Sequence, residues 1–274
     1  MPQTSSSPFI GGLLLAAQKA PHLMLPVEYL RNILTRETVL LGLLSPIGRA
    51  YEILTPAINR WANGNPIAII PSGSFAKGTA NSSGTDLDLF ISIPPDVPNT
   101  IEEAYRLLAS QLRAHGFAPK LQNVSIGVTV GNLSIDLVPG RLQNPFCSDH
   151  TIFHRRTKSW RKTNIAEHVN YVRSSGRQNE IRILKLWRDQ KGFDCPSFYL
   201  ELATIRALSD AGSDLANNVR QSLEYLATKF SSARFVDPAN SANIVSDDLT
   251  AAEKLRIQTL ARRALAMPWT SLVH

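Results

Sequence analysis

The sequence predicts an α+β protein, a mixed sheet with helices on one side followed by a C-terminal helical lobe. Two stretches, 86–93 and 133–138, alternate apolar and polar residues as half-buried strands do, and a helical-period segment, 101–115, lies between them. After about residue 164 the pattern turns wholly helical. The chain has 274 residues, 43% hydrophobic and 19% charged, enough apolar material for one large or two modest cores. The expected division is a loose N-terminal segment over 1–25, a sheet-bearing part over 26–163 and a helical lobe over 164–274, with ligands in the cleft between the last two.

At the N-terminus, residues 1–8 are rich in Ser, Pro and Thr and read as a loose tail. Phe9 to Ala17 is a short apolar run, but no basic side chain precedes it, which argues against a signal peptide. No stretch approaches the roughly 18 to 20 apolar residues of a membrane helix. From Pro26 to Ala62, Tyr29, Leu30, Ile33 and Leu34, then Tyr51, Ile53, Leu54, Ile58 and Trp61, recur at helical spacing. Pro46 and Pro56 are expected to break or kink this segment into separate helices.

A short strand, Ile67 to Ile70, ends at Pro71 before the stretch Gly73-Ser74-Phe75-Ala76-Lys77-Gly78-Thr79. This reads as a loop between two strands. Gly73 and Gly78 allow close approach of a ligand to the backbone, whose N–H groups with the Ser74 hydroxyl suit a phosphate. The spacing is not a P-loop, because Thr79 stands where that motif needs Lys and a strand follows instead of a helix. On the next strand Asp86, Asp88 and Phe90 share one face, and Leu87, Leu89 and Ile91 the other. The two carboxylates are then about 7 Å apart along the backbone. Like charges that close repel unless a cation lies between them, and hard oxygen ligands suit Mg²⁺.

Ile101 to His115 reads as an amphipathic helix ended by Gly116, covering the sheet face opposite the carboxylates. Ser125 to Val130, Gly131-Asn132 and Leu133 to Val138 read as a hairpin that puts Asp136 opposite Ile135 and Leu137. If this hairpin pairs with the Asp86 strand, Asp136 completes a three-carboxylate cluster. Residues 141–163 read as irregular and basic, a solvated surface or an anion-binding rim. Cys147, His150 and His154 lack a fourth ligand for zinc, and two cysteines, Cys147 and Cys195, make a reducing cytoplasm the expected location. Helices are expected over 164–174, 178–191, 196–210, 213–230 and 250–266; His115 and His168 are assigned no chemistry.

Gly73-Ser74, the glycine-bearing loop, Asp86-x-Asp88 and the later Asp136 together resemble the polymerase-beta-type nucleotidyltransferase superfamily. Arg182 to Trp187, Pro196 to Leu202 and Val236 to Val245 resemble the oligoadenylate synthetase and cyclic GMP-AMP synthase branch and its bacterial relatives, the CD-NTases. The resemblance spans about residues 65 to 250. It implies a metal-dependent nucleotidyltransferase in which Asp86, Asp88 and Asp136 hold two Mg²⁺ ions, replaceable by Mn²⁺, and Asp136 helps deprotonate the acceptor hydroxyl. It also implies that Lys185 and Ser197 contact the donor triphosphate and that Phe198 stacks on its base. Read without the resemblance, these three are a surface lysine, a helix cap and a core aromatic.

The expected substrates are ribonucleoside triphosphates, including ATP, and the product a cyclic di- or oligonucleotide second messenger read by a downstream effector in antiviral defence. The resemblance implies neither a membrane nor a stable nucleic-acid partner; the charge of +7 is compatible with nucleotides or with nucleic acid. Alternatives are addition of nucleotides to an RNA 3′ end, as in CCA-adding enzymes, a non-catalytic nucleotide-binding relative, or a nucleic-acid sensor.

Overall fold

The computed structural model describes residues 24–39, 46–63, 66–84 and 86–274. The expected tail and the apolar run at 9–17 lie outside them.

Helix α1 (Pro26–Arg36) has proline in its first turn and is followed by α2 (Pro46–Trp61), so the expected separation into two helices holds. Pro56 neither breaks nor ends α2, contrary to expectation. Pro56 and Glu52 both face solvent, so the carbonyl freed by the missing N–H can bond to water. Strand β1 (Ala68–Pro71) leads into α3 (Gly73–Lys77), a single helical turn closed by Gly78 in the left-handed conformation, φ 74°. The glycine stretch is thus partly helical where a plain loop is expected. The backbone N–H of Thr79 donates to the Ser74 carbonyl, which tightens the turn.

Strand β2 (Leu87–Ile93) is followed by α4 (Ile101–Ala114), whose Thr100 cap exchanges hydrogen bonds with Glu103. Strands β3 (Lys120–Leu121), β4 (Ile126–Val130) and β5 (Leu133–Leu142) follow. β2 pairs with β1 antiparallel and with β5 parallel, and the first half of β5 pairs with β4 on its other edge. The outer half of β5 then pairs with β6 (His150–His154), which pairs with β7 (Ser159–Thr163), giving a mixed seven-stranded sheet. Residues 141–163 are therefore largely a hairpin, where the sequence suggests irregular structure. Their polar side chains carry little alternation, and pairing with the end of β5 supplies the order.

The remaining elements are α5 (Ile165–Ser174), α6 (Gln178–Lys191), α7 (Ser197–Ala207), α8 (Leu215–Thr228), a short hairpin β8 (Val236–Asp237) with β9 (Asn240–Ile244), a 3-10 turn over Val245–Asp248, α9 (Ala251–Leu265) and α10 (Trp269–Leu272). The hairpin corrects the expectation that this half is wholly helical. It is held by side chains: Asp237 accepts from Asn243 and from the backbone of Ala239, and Asn240 donates to the carbonyl of Lys162.

Two apolar cores result. One lies between the Leu87, Leu89, Ile91, Ile135 and Leu137 face of the sheet and helices α2 and α4, as alternation predicts. The other joins α6 to α9, and Leu30, Ile33 and Leu34 of α1 belong to it although sequence order groups α1 with the sheet. Arg182 of α6 ties the two halves, donating to the carbonyls of Leu34 and Glu37 and to the side chain of Asn81.

Candidate active site

The parallel pairing of β2 with β5 places Asp88 directly beside Asp136 in register. Leu87, Leu89, Ile135 and Leu137 are buried on the far face, and a slip of one residue in either strand would send its carboxylate into that core. The hairpin therefore pairs as the three-carboxylate expectation requires. Asp86 immediately precedes β2 and is exposed. Among the described residues, no three His, Cys, Asp or Glu side chains are close enough, as they stand, to enclose an ion.

The electrostatics nevertheless ask for a cation. Burial, and then the charge of Asp136, push the Asp88 carboxyl up to about 6, against the opposing ammonium groups of Lys77 and Lys185. Burial, with Asp86 acting in the same direction, raises Asp136 as well, although hydrogen bonds from Ser125 and Gln122 oppose it. Gln122 Nε2 donates to Asp136 Oδ1 at 2.8 Å and Ser125 Oγ to Oδ2 at 3.1 Å, which fixes the orientation of the carboxylate. Carboxylates whose burial and mutual repulsion outweigh the two neighbouring ammonium groups fit a divalent ion such as Mg²⁺.

Gly73 makes room for Asp88. Its φ is +56°, and a Cβ there would lie 1.7 Å from Asp88 Oδ2. The backbone N–H of Ser72 donates to the Asp88 carbonyl at 2.8 Å, which locks the α3 turn onto the strand. Ser74 sits half-buried in that turn. Gly127, opposite Asp136 in the β4–β5 pairing, is constrained in the same way, since a Cβ would meet Gln122 Nε2 at 2.8 Å.

Lys185 is buried, where composition alone reads a surface lysine. Its Nζ donates to Glu201 Oε1 at 2.6 Å and to Thr79 Oγ1 at 3.0 Å. Ser197 opens α7 and accepts a hydrogen bond from Arg188 at 2.9 Å. Phe198 is half-buried, with the Lys77 ammonium 4.3 Å from its ring centroid and the His168 ring at 4.6 Å on the other element packed against it. His168 in turn contacts Asp237 Oδ1 at 2.7 Å, so the β8–β9 hairpin braces the aromatic pair.

Cys147, His150 and His154 do not gather as metal ligands. His150 contacts the Ser92 hydroxyl and the Ser148 carbonyl, and His154 contacts Asn123 and Thr157.

Sequence reasoning missed Lys77, Glu201, Gln122 and His168. Glu201 had a signal: it is an isolated acid within Phe198-Tyr199-Leu200-Glu201-Leu202-Ala203, and a charge at that place in a helix needs a buried partner.

The structure of Bradyrhizobium diazoefficiens CD-NTase CdnG in complex with GTP superposes with a TM-score of 0.72, covering 87% of this chain and 90% of that one at 15% identity. That of Escherichia coli MS115-1 CdnC with ATP gives 0.64, covering 80% and 82% at 23% identity.

This is the CD-NTase fold.

Sequence comparison agrees with it. A cyclic AMP-AMP-AMP synthase of Escherichia coli strain MS 115-1 is 30% identical over 169 residues, 54% of this chain and 52% of that protein. The match thus spans about half the length of the relative. No protein-family profile matches the chain. The CD-NTase resemblance read from the motifs is borne out, and so is the α+β architecture. Among the described residues no helix is long and apolar enough to cross a membrane.

Proposed function

We propose that the chain is a divalent-metal-dependent nucleotidyltransferase that joins ribonucleoside triphosphates into a cyclic di- or oligonucleotide. In this reading it acts in the bacterial cytoplasm, in anti-phage signalling through a downstream effector. Residues 26–163 supply the catalytic core, apart from α1, which packs with the helical lobe of residues 164–274. The observation that carries the reading is the in-register pair Asp88 and Asp136 beside the Gly73 turn, both carboxyls raised by burial.

Asp86, Asp88 and Asp136 would hold two Mg²⁺ ions, with Mn²⁺ able to replace them. Bound there, the ions would neutralise charge on the attacked α-phosphate and the leaving pyrophosphate. Asp136, oriented by Gln122 and Ser125, stands ready to take the proton of the acceptor hydroxyl. The hydroxyl oxygen bonds to the α-phosphorus, the α–β anhydride bond breaks, and pyrophosphate leaves. Gly73 and Ser74 line the phosphate path, Lys185 and Ser197 face the triphosphate, and Phe198 offers its ring to the base. Catalysis of this kind is positioning and charge stabilisation, so no protein nucleophile is required.

The test is to incubate purified protein with all four labelled ribonucleoside triphosphates and Mg²⁺ or Mn²⁺, treat with phosphatase and analyse by mass spectrometry, using Asp86→Asn/Asp88→Asn as the blank. A phosphatase-resistant product absent from the blank is the expected result and identifies the bases. No product under either metal, with label appearing on added tRNA instead, would replace this reading with RNA-end addition.

A further inference from the structure

Glu201 of α7 is one of the most deeply buried charges in the protein, its side chain 1% exposed. Both of its oxygens are engaged across long sequence separations. Oε2 accepts from Lys77 Nζ of α3 at 2.9 Å, and Oε1 accepts from Lys185 Nζ of α6 at 2.6 Å and from Thr79 Oγ1 at 2.9 Å. The lysine side chains are themselves only 9% and 5% exposed. Burial tends to raise Glu201, but the two ammonium groups outweigh it and bring the carboxyl down to about 2.

The charges do not cancel. Two ammonium groups share one carboxylate in a nearly dry setting, and a structural brace needs only one lysine per glutamate. The unmatched cation is costly there unless an anion completes it. Asp88 adjoins the α3 turn that carries Lys77, its carboxylate against Gly73 and its carbonyl accepting from the Ser72 N–H; Arg188, which also acts on Lys185, is paired with Asp189. Lys77 also lies over the ring of Phe198, 4.3 Å from its centroid. The cationic pair thus borders the carboxylates on one side and the candidate base-stacking ring on the other.

We propose that Glu201 is a positioning residue that holds Lys77 and Lys185 as a preformed ammonium pair beside Asp88. The pair, carrying one positive charge more than Glu201 cancels, reads the phosphate chain of the incoming nucleoside triphosphate. This rests on the nucleotide-binding reading above, and it adds Lys77 to the phosphate-contacting residues. Preorganisation is the gain: two flexible lysine stems are fixed before substrate arrives, so less side-chain freedom is lost on binding.

The experiment is calorimetric titration of the full chain with ATP, ADP and AMP, with Ca²⁺ in place of Mg²⁺ so that binding is read without turnover. Wild-type affinity is expected to rise with each phosphate. In Glu201→Gln the ATP Kd is expected to rise about tenfold or more, the loss typical of a charge-assisted contact, while the AMP Kd stays within about twofold. Glu201→Asp, which keeps the charge, is expected to recover part of the ATP affinity. If Glu201→Gln does not fold, Lys77→Met leaves the Glu201–Lys185 pair balanced and carries the same expected loss. Equal loss of ATP and AMP binding, or loss of neither, would overturn the inference while leaving the proposed function standing. A wild-type chain that binds none of the three nucleotides would overturn both.

Discussion

Replacing Gly73 with alanine separates backbone strain from damage to the carboxylate cluster. At φ +56° an L-residue is strained, which costs about 1–2 kcal/mol. For a chain of this size that lowers Tm by a few degrees, at roughly 2–4 °C per kcal/mol. The added Cβ also lies 1.7 Å from Asp88 Oδ2 and 2.4 Å from Cγ. Ordinary carbon contacts are about 3.5 Å, so the carboxylate must retreat by well over 1 Å. Misplacement of that size at a reacting centre costs about 100-fold in rate. Gly131→Ala is the control, since Gly131 has φ +62° but open space around it, in the β4–β5 turn. Both variants are expected to lose similar thermal stability, read by melting curves. Gly73→Ala alone is expected to lose Mn²⁺ binding, read by electron paramagnetic resonance, and transferase activity. Equal Mn²⁺ affinity in the two variants would refute the role assigned to the Gly73–Asp88 contact.

Three further outcomes follow from the same geometry. The Asp88 carboxyl, raised from 3.8 to about 6, holds a proton in the folded state that the unfolded chain releases, so the metal-free protein gains stability as pH falls through about 6 and the gain is complete near pH 4, at most on the order of 3 kcal/mol. Asp88→Asn should remove most of this gain and stabilise the metal-free protein at pH 7, checked by urea unfolding at pH 5 and 7; unchanged stability at pH 7 would count against burial as the cause. Arg182→Met cuts the three hydrogen bonds that tie α6 to Leu34, Glu37 and Asn81, and should cost about 2–4 kcal/mol in the same assay. Phe198→Ala should weaken nucleotide binding by about 1–3 kcal/mol with a similar loss for ATP and AMP, and a selective loss of ATP would instead tie the ring to the phosphates.

Period-2 alternation at 86–93 and 133–138 was enough to orient Asp86, Asp88 and Asp136, because Leu87, Leu89, Ile135 and Leu137 fill one core and a one-residue slip would put a carboxylate there. The Gly131-Asn132 turn and the apolar stripe of α4 were equally legible, since they depend on neighbours in sequence. The hairpin of β6 and β7 was not. His150-Thr151-Ile152-Phe153-His154 and Ser159-Trp160-Arg161-Lys162-Thr163 carry no clean alternation, and they become strands by extending the edge that the outer half of β5 leaves free. Pro56 misled for the converse reason. Its cost depends on whether the carbonyl one turn earlier faces water, which sequence does not state.

The sequence by itself determined strands β1, β2, β4 and β5, the amphipathic helices and the residue types of a metal-and-phosphate chemistry, because these follow from local period and from the few residues that tolerate special backbone angles. Only the tertiary structure decided which carboxylates stand together and what becomes of the charges in the helical half. Asp136 reaches Asp88 through the parallel pairing of β2 with β5, and Lys77, Lys185 and Glu201 converge from α3, α6 and α7. The physical reason is that a buried charge is tolerable only beside its partner, and that partner is set by packing between separate elements, as far as 124 residues apart for Lys77 and Glu201, beyond the reach of any local pattern.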